Sequence, residues 1–461
     1  MFSKVAIANR GAVAARLVRA LSATKIKSVV LCSEADRELP YVREADEYRV
    51  IGPPPPKDSY LCGEKVIEAA LAAGAEAIHP GWGFLSEDAD FAQKTGDRGL
   101  VFIGPSPKWL KIMGDKVKSR QMMADLGLPT APATEELIGT TQEKVAEAKK
   151  LGFPLLIKPS GGGGGIGMMP AENEEGLIKA IEAAESQALR GFGRGAVYAE
   201  RLVKNPRHVE FQVICDSQGG SVHLFERDCS IQRRRQKVIE EAGAPNIERQ
   251  RLLDMASLAA KVLGRSGYDH LATLETLFSP ETGFSFLEVN PRLQVEHGVT
   301  EEATGKDLVA TQLAVAAGFR VGNLGLEVAG EPARHALEAR IYAEDSLRFL
   351  PSPGPLKVFR PPQGESLRVE TGFAEGCLVT PWYDPMIAQV IASGPTRAEA
   401  IAKLREALAA FEIEGLKTNL GFLRLMLSYE PFINGLVHTG LAEELMKSPS
   451  YKSDLAALGY A

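Results

Sequence analysis

No stretch of the 461-residue chain is apolar for long enough to cross a bilayer, and the N-terminus begins a strand-like run at once. Neither a membrane anchor nor a secretory leader is therefore expected. Cysteine is scarce. Cys32, Cys62, Cys215, Cys229 and Cys377 are scattered without metal-ligand spacing, which excludes a disulfide framework or a zinc site and fits a reducing compartment, the cytoplasm. Positive charge is not in excess, with 53 Lys and Arg against 59 Asp and Glu, so nucleic acid is disfavoured as a partner. The dinucleotide fingerprint Gly-x-Gly-x-x-Gly is missing, since only Gly11 follows the first strand-like run. So is the Gly-Lys-Ser/Thr of a Walker A loop. No internal repeat is present, and the length suits about two to four domains of ordinary composition.

The residues from Glu288 to His297 carry the strongest signal. In Glu-Val-Asn-Pro-Arg-Leu-Gln-Val-Glu-His, polar side chains recur at every second position. Leu287 and Val289 then form the apolar face of a strand whose other face presents Glu288 and Asn290. Arg292, Gln294 and Glu296 continue the alternation past Pro291, which is able to bend the strand. Upstream, Leu271 to Phe278 and Phe284 to Asn290 flank Ser279-Pro280-Glu281-Thr282-Gly283, a hairpin turn. This pairing sets Glu275 opposite Glu288, with Cβ atoms about 5 Å apart. A lone glutamate pair is commonly a solvated face, but aligned polar groups of this number point to a hard divalent cation held by oxygen ligands.

Lys158-Pro159-Ser160 precedes five glycines, Gly161 to Gly165, and apolar runs lie on both sides. This predicts a glycine-rich hairpin flap whose backbone N–H groups reach phosphate oxygens, and not a flexible linker. A third segment, Glu226 to Glu241, holds Arg233, Arg234, Arg235 and Lys237 between acidic residues. Such a cluster suits a polyphosphate and a second small anion, although by itself it is equally a salt-bridged surface.

These three segments resemble the biotin carboxylase component of biotin-dependent carboxylases, within the ATP-grasp superfamily. Ile7-Ala8-Asn9-Arg10-Gly11, the run from His79 to Glu87, Phe102-Ile103-Gly104-Pro105, Gly114-Asp115-Lys116 and the run from Glu338 to Asp345 match as well. The resemblance extends from about residue 3 to about residue 446. It implies an α/β architecture: an N-terminal doubly wound parallel sheet over 1–113, an ATP-grasp domain over 114–330 with a mobile glycine-rich lid at 130–203, a C-terminal β-rich α+β domain over 331–446, and a surface tail at 447–461.

The resemblance also implies roles. Lys116, Lys158, Gly163, Gly164 and Gly165 would hold ATP phosphates, and Glu200 and Val203, with His208 and Gln232 nearby, the adenine and ribose. Glu275, Glu288 and Asn290 would bind magnesium or manganese. Arg292, Gln294 and the Val295 backbone would cradle bicarbonate, with Glu296 as the general base. Lys237 would stabilise carboxyphosphate, and Arg340 the biotin enolate. Biotin would arrive on a biotin carboxyl carrier protein, because no Met-Lys-Met motif is present and Lys447 lacks the second Met. A carboxyltransferase on another chain and a homodimer are the family expectations.

The chain departs from the usual pattern at Ala12 (often Glu), Ile166 (often Arg), Arg235 (often His), Gly298 (often Pro) and Gln389 (often Lys). The expected function is ATP-dependent carboxylation of carrier-borne biotin by bicarbonate, with the final acceptor, acyl-CoA, urea or another, left open. Two alternatives stand beside it: an ATP-grasp carboxylate-amine ligase, and a catalytically silent nucleotide-binding subunit.

Overall fold

The structure is a computed structural model that describes residues 1–160 and 167–460. Its N-terminal part is a five-stranded parallel sheet in the order Glu47–Gly52, Lys27–Ser33, Lys4–Ile7, Ala77–His79, Val101–Phe102. The three inner strands are short apolar runs buried on both faces, as parallel strands covered by helices must be. The first strand lies centrally, with neighbours added outward on each side, so loops diverge at its C-terminal end. Here Asn9 donates to the carbonyls of Pro80 (2.6 Å) and Trp82 (2.7 Å). Those two bonds anchor the run that leads to Glu87.

The centre is one eight-stranded antiparallel sheet: Gly283–Asn290, Leu271–Ser279, Arg207–Cys215, Ser221–Arg233, Gln236–Ala242, His335–Tyr342, Met386–Gly394, Leu367–Glu370. The boundary expected at residue 330 is crossed by this sheet, since Gln236–Ala242 pairs directly with His335–Tyr342. Strict alternation gives the first strands two faces. Val209, Phe211, Val213, Ala272, Leu274, Phe278 and Phe284 pack with Leu252, Met255, Ala256, Ala259 and Leu263 of the helix Arg249–Ser266. His208, Glu210, Gln212, Thr273 and Glu275 necessarily take the other face.

Glu275 does face Glu288, and a β-bulge makes this so. The register runs Ser279↔Gly283, Phe278↔Phe284, Leu277↔Ser285, Thr276↔Phe286 and then slips by one residue to Glu275↔Glu288, leaving Leu287 extra. The strand ends at Asn290, and the polar alternation expected beyond Pro291 is not a strand. Residues 291–296 form an irregular segment leading into the helix His297–Thr304.

A separate four-stranded sheet, Ala133–Glu136, Val197–Arg201, Leu155–Pro159, Met169–Ala171, carries the helices Thr141–Lys149 and Glu174–Phe192 over its own apolar cluster. Leu155 pairs with Ala171 and Ile157 with Met169, so the flanks of the glycine run form a hairpin. Gly161 to Gly165 and Ile166 lie outside the described residues.

The end of the chain corrects one expectation. Instead of a surface tail, residues Tyr451–Ala457 form a helix with Tyr451 and Leu455 buried. The Tyr451 hydroxyl donates to the Ser346 carbonyl at 2.6 Å. The N-terminal and C-terminal parts also touch closely: a Cβ on Gly372 would lie 2.5 Å from the carbonyl carbon of Gly11, whose own φ is +64°. The Tyr383 hydroxyl lies 2.6 Å from both the Pro54 carbonyl, to which it donates, and Ser33 Oγ, beneath the Arg10 guanidinium 4.2 Å from its ring centre. No helix among the described residues is long and apolar enough to cross a membrane.

Two histidines in the interior, His79 and His270, are held neutral. Burial pulls His79 down to about 3 and His270 to about 4. Below pH 6.5 the unfolded chain takes up protons that the folded chain refuses, so stability falls with pH over this window. Each histidine contributes a loss on the order of 3 kcal/mol by pH 4. His270→Gln should flatten the fall of the urea midpoint between pH 6.5 and 4. Equal slopes in the two proteins would contradict a neutral buried His270.

Candidate active site

The polar face of the large sheet gathers charged side chains that are mostly buried. Lys237 sits on the strand Gln236–Ala242, and its ammonium lies 2.5 Å from Glu210 Oε2, 2.7 Å from Glu275 Oε1 and 2.7 Å from Glu296 Oε1. Burial alone would pull the Lys237 ammonium down, but the three carboxylates raise it well above its ordinary value. Glu210 is held again by Arg227, whose Nε donates to Glu210 Oε1 at 2.5 Å. Arg227 is fully buried, and its other N–H groups reach Gln212, Thr273 and Thr300. Four of the five donors of this buried guanidinium are thus given an oxygen.

Glu296 is placed at the end of the irregular segment 291–296, where the helix His297–Thr304 begins. One of its oxygens takes Lys237, and the other accepts from Arg340 Nη2 at 2.8 Å. Burial would raise this carboxyl, yet Lys237, Arg340 and Arg227 hold it well below the usual carboxylate range. Arg340 Nε lies 2.8 Å from Glu240 Oε1 and 3.9 Å from Glu338 Oε1. Glu240 and Glu338 are directly opposite on neighbouring strands. Burial pushes Glu240 up to about 7 against the pull of Arg340, and burial with the neighbouring Glu240 pushes Glu338 well above its ordinary value.

Glu275 accepts from Asn290 Nδ2 at 2.8 Å and lies 3.0 Å from His208 Nε2. Burial would lower His208, but the Glu275 carboxylate more than offsets this and raises it. Gln232 Nε2 is 2.8 Å from His208 Nδ1 and donates to the Cys229 carbonyl at 2.8 Å. Glu288 pairs with Lys116 at 2.9 Å, at the first position of the helix Lys116–Asp125. Lys158 and Glu200 form a buried pair at 2.7 Å. Arg292 Nε donates to Glu87 at 2.5 Å, and its other nitrogens reach Gln294 Oε1 (3.1 Å), the Leu293 carbonyl (3.2 Å) and Asn290 Oδ1 (3.5 Å).

Most residues singled out from the sequence therefore converge. Glu275, Asn290, Arg292, Gln294, Glu296, Lys237, Arg340, His208 and Gln232 form one bonded network, while Lys116–Glu288 adjoins it through the strand. Lys158 and Glu200 pair on the smaller sheet, and half-buried Val203 follows that sheet's strand Val197–Arg201. Gly163, Gly164 and Gly165 lie outside the described residues. Glu210, Glu240 and Arg227 belong to the site as well, beyond the residues expected from the sequence. The signal was present for Glu210, since His208-Val-Glu210-Phe-Gln212-Val alternates as Glu288 to Asn290 does. Among the departures, Ala12 is buried in the helix Gly11–Ala23, and a Cβ on Gly298 would collide with Ile391. Arg235 stands in the turn after Arg233 at φ +68° and donates to the Met168 carbonyl at 3.4 Å.

The donor set fits a hard divalent cation on one side of the cluster. Glu210, His208 and Glu275 approach one another, as do Glu210, Cys229 and Glu296, but the Lys237 ammonium already contacts Glu210, Glu275 and Glu296. The facing carboxylates Glu275 and Glu288, with Asn290, offer the all-oxygen chemistry that magnesium prefers.

Three family models match the chain in succession: the biotin carboxylase N-terminal domain over residues 1–110, the carbamoyl-phosphate synthase L chain ATP-binding domain over 115–324, and the biotin carboxylase C-terminal domain over 338–444. A biotin carboxylase of Halalkalibacterium halodurans is 44% identical over 97% of this chain and 98% of its own length. The chain belongs to the biotin carboxylase family.

Family membership carries the reaction class, ATP-dependent carboxylation of biotin, and with it the α/β ATP-grasp architecture. Among solved biotin carboxylase structures, the domain dimer of the Hydrogenobacter thermophilus 2-oxoglutarate carboxylase, in complex with MgADP, ADP and bicarbonate, has a TM-score of 0.92 at 39% identity over 96% of this chain and 98% of its own. The Campylobacter jejuni biotin carboxylase has a TM-score of 0.91 at 38% identity, over 96% of this chain and 99% of its own.

Removing Lys237 should unmask the repulsion that it neutralises. Lys237→Met leaves Glu210, Glu275 and Glu296 buried without their shared cation, at a cost of about 3 kcal/mol or more at pH 8. Their folded-state values then rise above the unfolded ones, so stability returns as pH falls and they take up protons. The gap in melting temperature between wild type and Lys237→Met should narrow from pH 8 to pH 5.5. A gap that is the same at both pH values would contradict the charge balance described.

Proposed function

We propose that this site joins ATP and bicarbonate into carboxyphosphate and passes the carboxyl group to biotin borne on a separate carrier protein. The observation that carries this reading is Glu296, a buried carboxylate held ionised by two cations, one on each oxygen. Arg292, Gln294 and the Val295 backbone are the cradle we assign to bicarbonate. The planar guanidinium fork of Arg292, already aligned by Glu87 and Gln294, suits a carboxylate-like anion. Lys116 and Lys158 are assigned to the ATP phosphates, together with the glycines Gly163 to Gly165, and Glu200, Val203, His208 and Gln232 to the nucleoside side. Glu275, Glu288 and Asn290 are assigned to magnesium or manganese, which when bound draws off charge from the phosphate oxygens.

In the first step an oxygen of bicarbonate forms a bond to the γ-phosphorus while the bond to the bridging oxygen of ADP breaks. The bicarbonate proton passes to Glu296. A carboxylate held by two cations is a weak base, so proton transfer requires that Lys237 or Arg340 turn towards a substrate anion. Lys237, bonded to Glu275 and Glu296 at once, is assigned to the carboxyphosphate oxygens. In the second step the carbon–oxygen bond to phosphate breaks and the carboxyl carbon bonds to the ureido nitrogen of biotin, whose proton leaves with phosphate. Arg340 is assigned to the enolate oxygen that appears there.

We also infer a homodimer, a carrier protein and a carboxyltransferase on other chains, and a cytoplasmic location. The dimer rests on the likeness to the Hydrogenobacter thermophilus domain dimer, and the partners on relatives named as carboxylase subunits, such as the methylcrotonoyl-CoA carboxylase subunit alpha of Oryza sativa. The location is supported by five free cysteines.

Glu296 and Arg340 separate the two steps. Glu296→Ala should abolish bicarbonate-dependent ATP cleavage with or without biotin, a loss of roughly a hundredfold or more. Arg340→Ala should retain much of the slow biotin-independent ATP cleavage and lose carboxybiotin formation. Equal loss of both activities in a folded Arg340→Ala protein would contradict the assignment.

A further inference from the structure

Gln389 lies on the strand Met386–Gly394, opposite Arg340 on the neighbouring strand, and is 1% exposed. Its side-chain amide has two N–H donors, and both are used at short range. Nε2 donates to the Val295 carbonyl at 2.8 Å and to Glu338 Oε1 at 2.7 Å. The first of these bonds crosses from the sheet to the irregular segment 291–296. The backbone of that segment is otherwise bonded to itself and to the helix after it, His297 N to the Gln294 carbonyl at 3.3 Å and Val299 N to the Glu296 carbonyl at 3.3 Å, while its side chains Arg292 and Glu296 reach outward to Glu87 and to Lys237 and Arg340. Among the described residues, the further group on the Val295 carbonyl is His297 Nδ1 at 3.3 Å. Among the described residues, Gln389 is thus the side chain from outside the segment and its helix that bonds the Val295 carbonyl, and it bears on the plane of the Val295–Glu296 peptide from the sheet side, as Lys237 and Arg340 bear on the Glu296 carboxylate.

We propose that Gln389 is a positioning residue for bicarbonate: by holding the Val295 carbonyl it orients the Val295 peptide and the Glu296 carboxylate that follows it. This rests on the assignment of bicarbonate to Arg292, Gln294 and Val295. The amide suits the place better than a charged group would. Glu338, its other acceptor, faces Glu240, and with Glu296 these make three carboxyls around the single Arg340 guanidinium. A neutral donor binds Glu338 whether or not it carries a proton, and so keeps its grip on Val295 unchanged. A lysine, which is usual at this position in the family, would add a fifth charged group, a second cation, while still having hydrogens enough for both acceptors.

The experiment is steady-state bicarbonate-dependent ATP cleavage by the full chain without biotin. Gln389→Met keeps the volume and removes the donors; it should raise KM for bicarbonate about tenfold or more, while KM for ATP stays within twofold. Gln389→Lys, which restores donors, should recover most of the bicarbonate KM. An unchanged bicarbonate KM in Gln389→Met, or bicarbonate and ATP KM values rising together, would overturn the proposal, as would a lysine variant no better than methionine. Arg292→Ala is the control. If it too leaves the bicarbonate KM unmoved, the cradle itself is misassigned; if it raises that KM and Gln389→Met does not, only the role of Gln389 falls. Should Gln389→Met not fold, Gln389→Asn, one methylene short and able to reach only one of the two acceptors, takes its place with the same expectation.

Discussion

The site depends on one ammonium group shared by three buried carboxylates. Lys237 touches Glu210, Glu275 and Glu296, and these three lie on different elements: the strand Arg207–Cys215, the strand Leu271–Ser279 and the segment leading into the helix His297–Thr304. Neutralising them allows the sheet to close its polar face without water. Arg227 does the same one layer further in, where Glu210 would otherwise carry an unbalanced charge. Isolated buried charges cost several kcal/mol each, so such a face is stable only when donors and acceptors match closely.

That matching has a consequence for ligand entry. The cations assigned to anionic substrates are already paired with glutamates: Lys116 with Glu288, Lys158 with Glu200, Arg292 with Glu87, Lys237 and Arg340 with Glu296. In the assigned roles, phosphate oxygens would take the lysines while a divalent cation takes the released carboxylates. Such an exchange conserves charge and avoids exposing either partner alone. It also favours metal and nucleotide arriving together over either arriving by itself, because one without the other leaves a bare carboxylate or a bare ammonium.

Much of this was legible in the sequence. The period of two in Glu288 to Asn290 and the turn at 279–283 put Glu275 and Glu288 on paired strands, but pairing symmetric about that turn would set Glu275 opposite Leu287. The bulge at Leu287 that completes the pairing was not legible, because a bulge is set by the three-dimensional twist of the sheet and not by composition. Pro291 ends the strand, and the convergence of Arg292, Gln294 and Glu296 beyond it comes from Arg292 bonding back to its own segment and from Lys237 and Arg340 reaching Glu296 from the sheet. The continuity of the eight-stranded sheet through His335–Tyr342 was invisible, since pairing across about a hundred residues leaves no local mark. Gln389 stood out only as a departure from a pattern; its use appeared once Val295 and Glu338 were seen on either side of it. The helix Tyr451–Ala457 was missed because its buried stripe is only Tyr451 and Leu455.

The central claim is that this charge network prepares bicarbonate, and not water or another nucleophile, to attack the γ-phosphorus. The most direct measurement is isotope transfer in the unmodified protein. With bicarbonate labelled with oxygen-18 and ATP and water unlabelled, the released phosphate should gain one labelled oxygen per turnover, because the attacking oxygen stays with phosphorus. Phosphate that carries no label while ATP is consumed with biotin present would contradict the account.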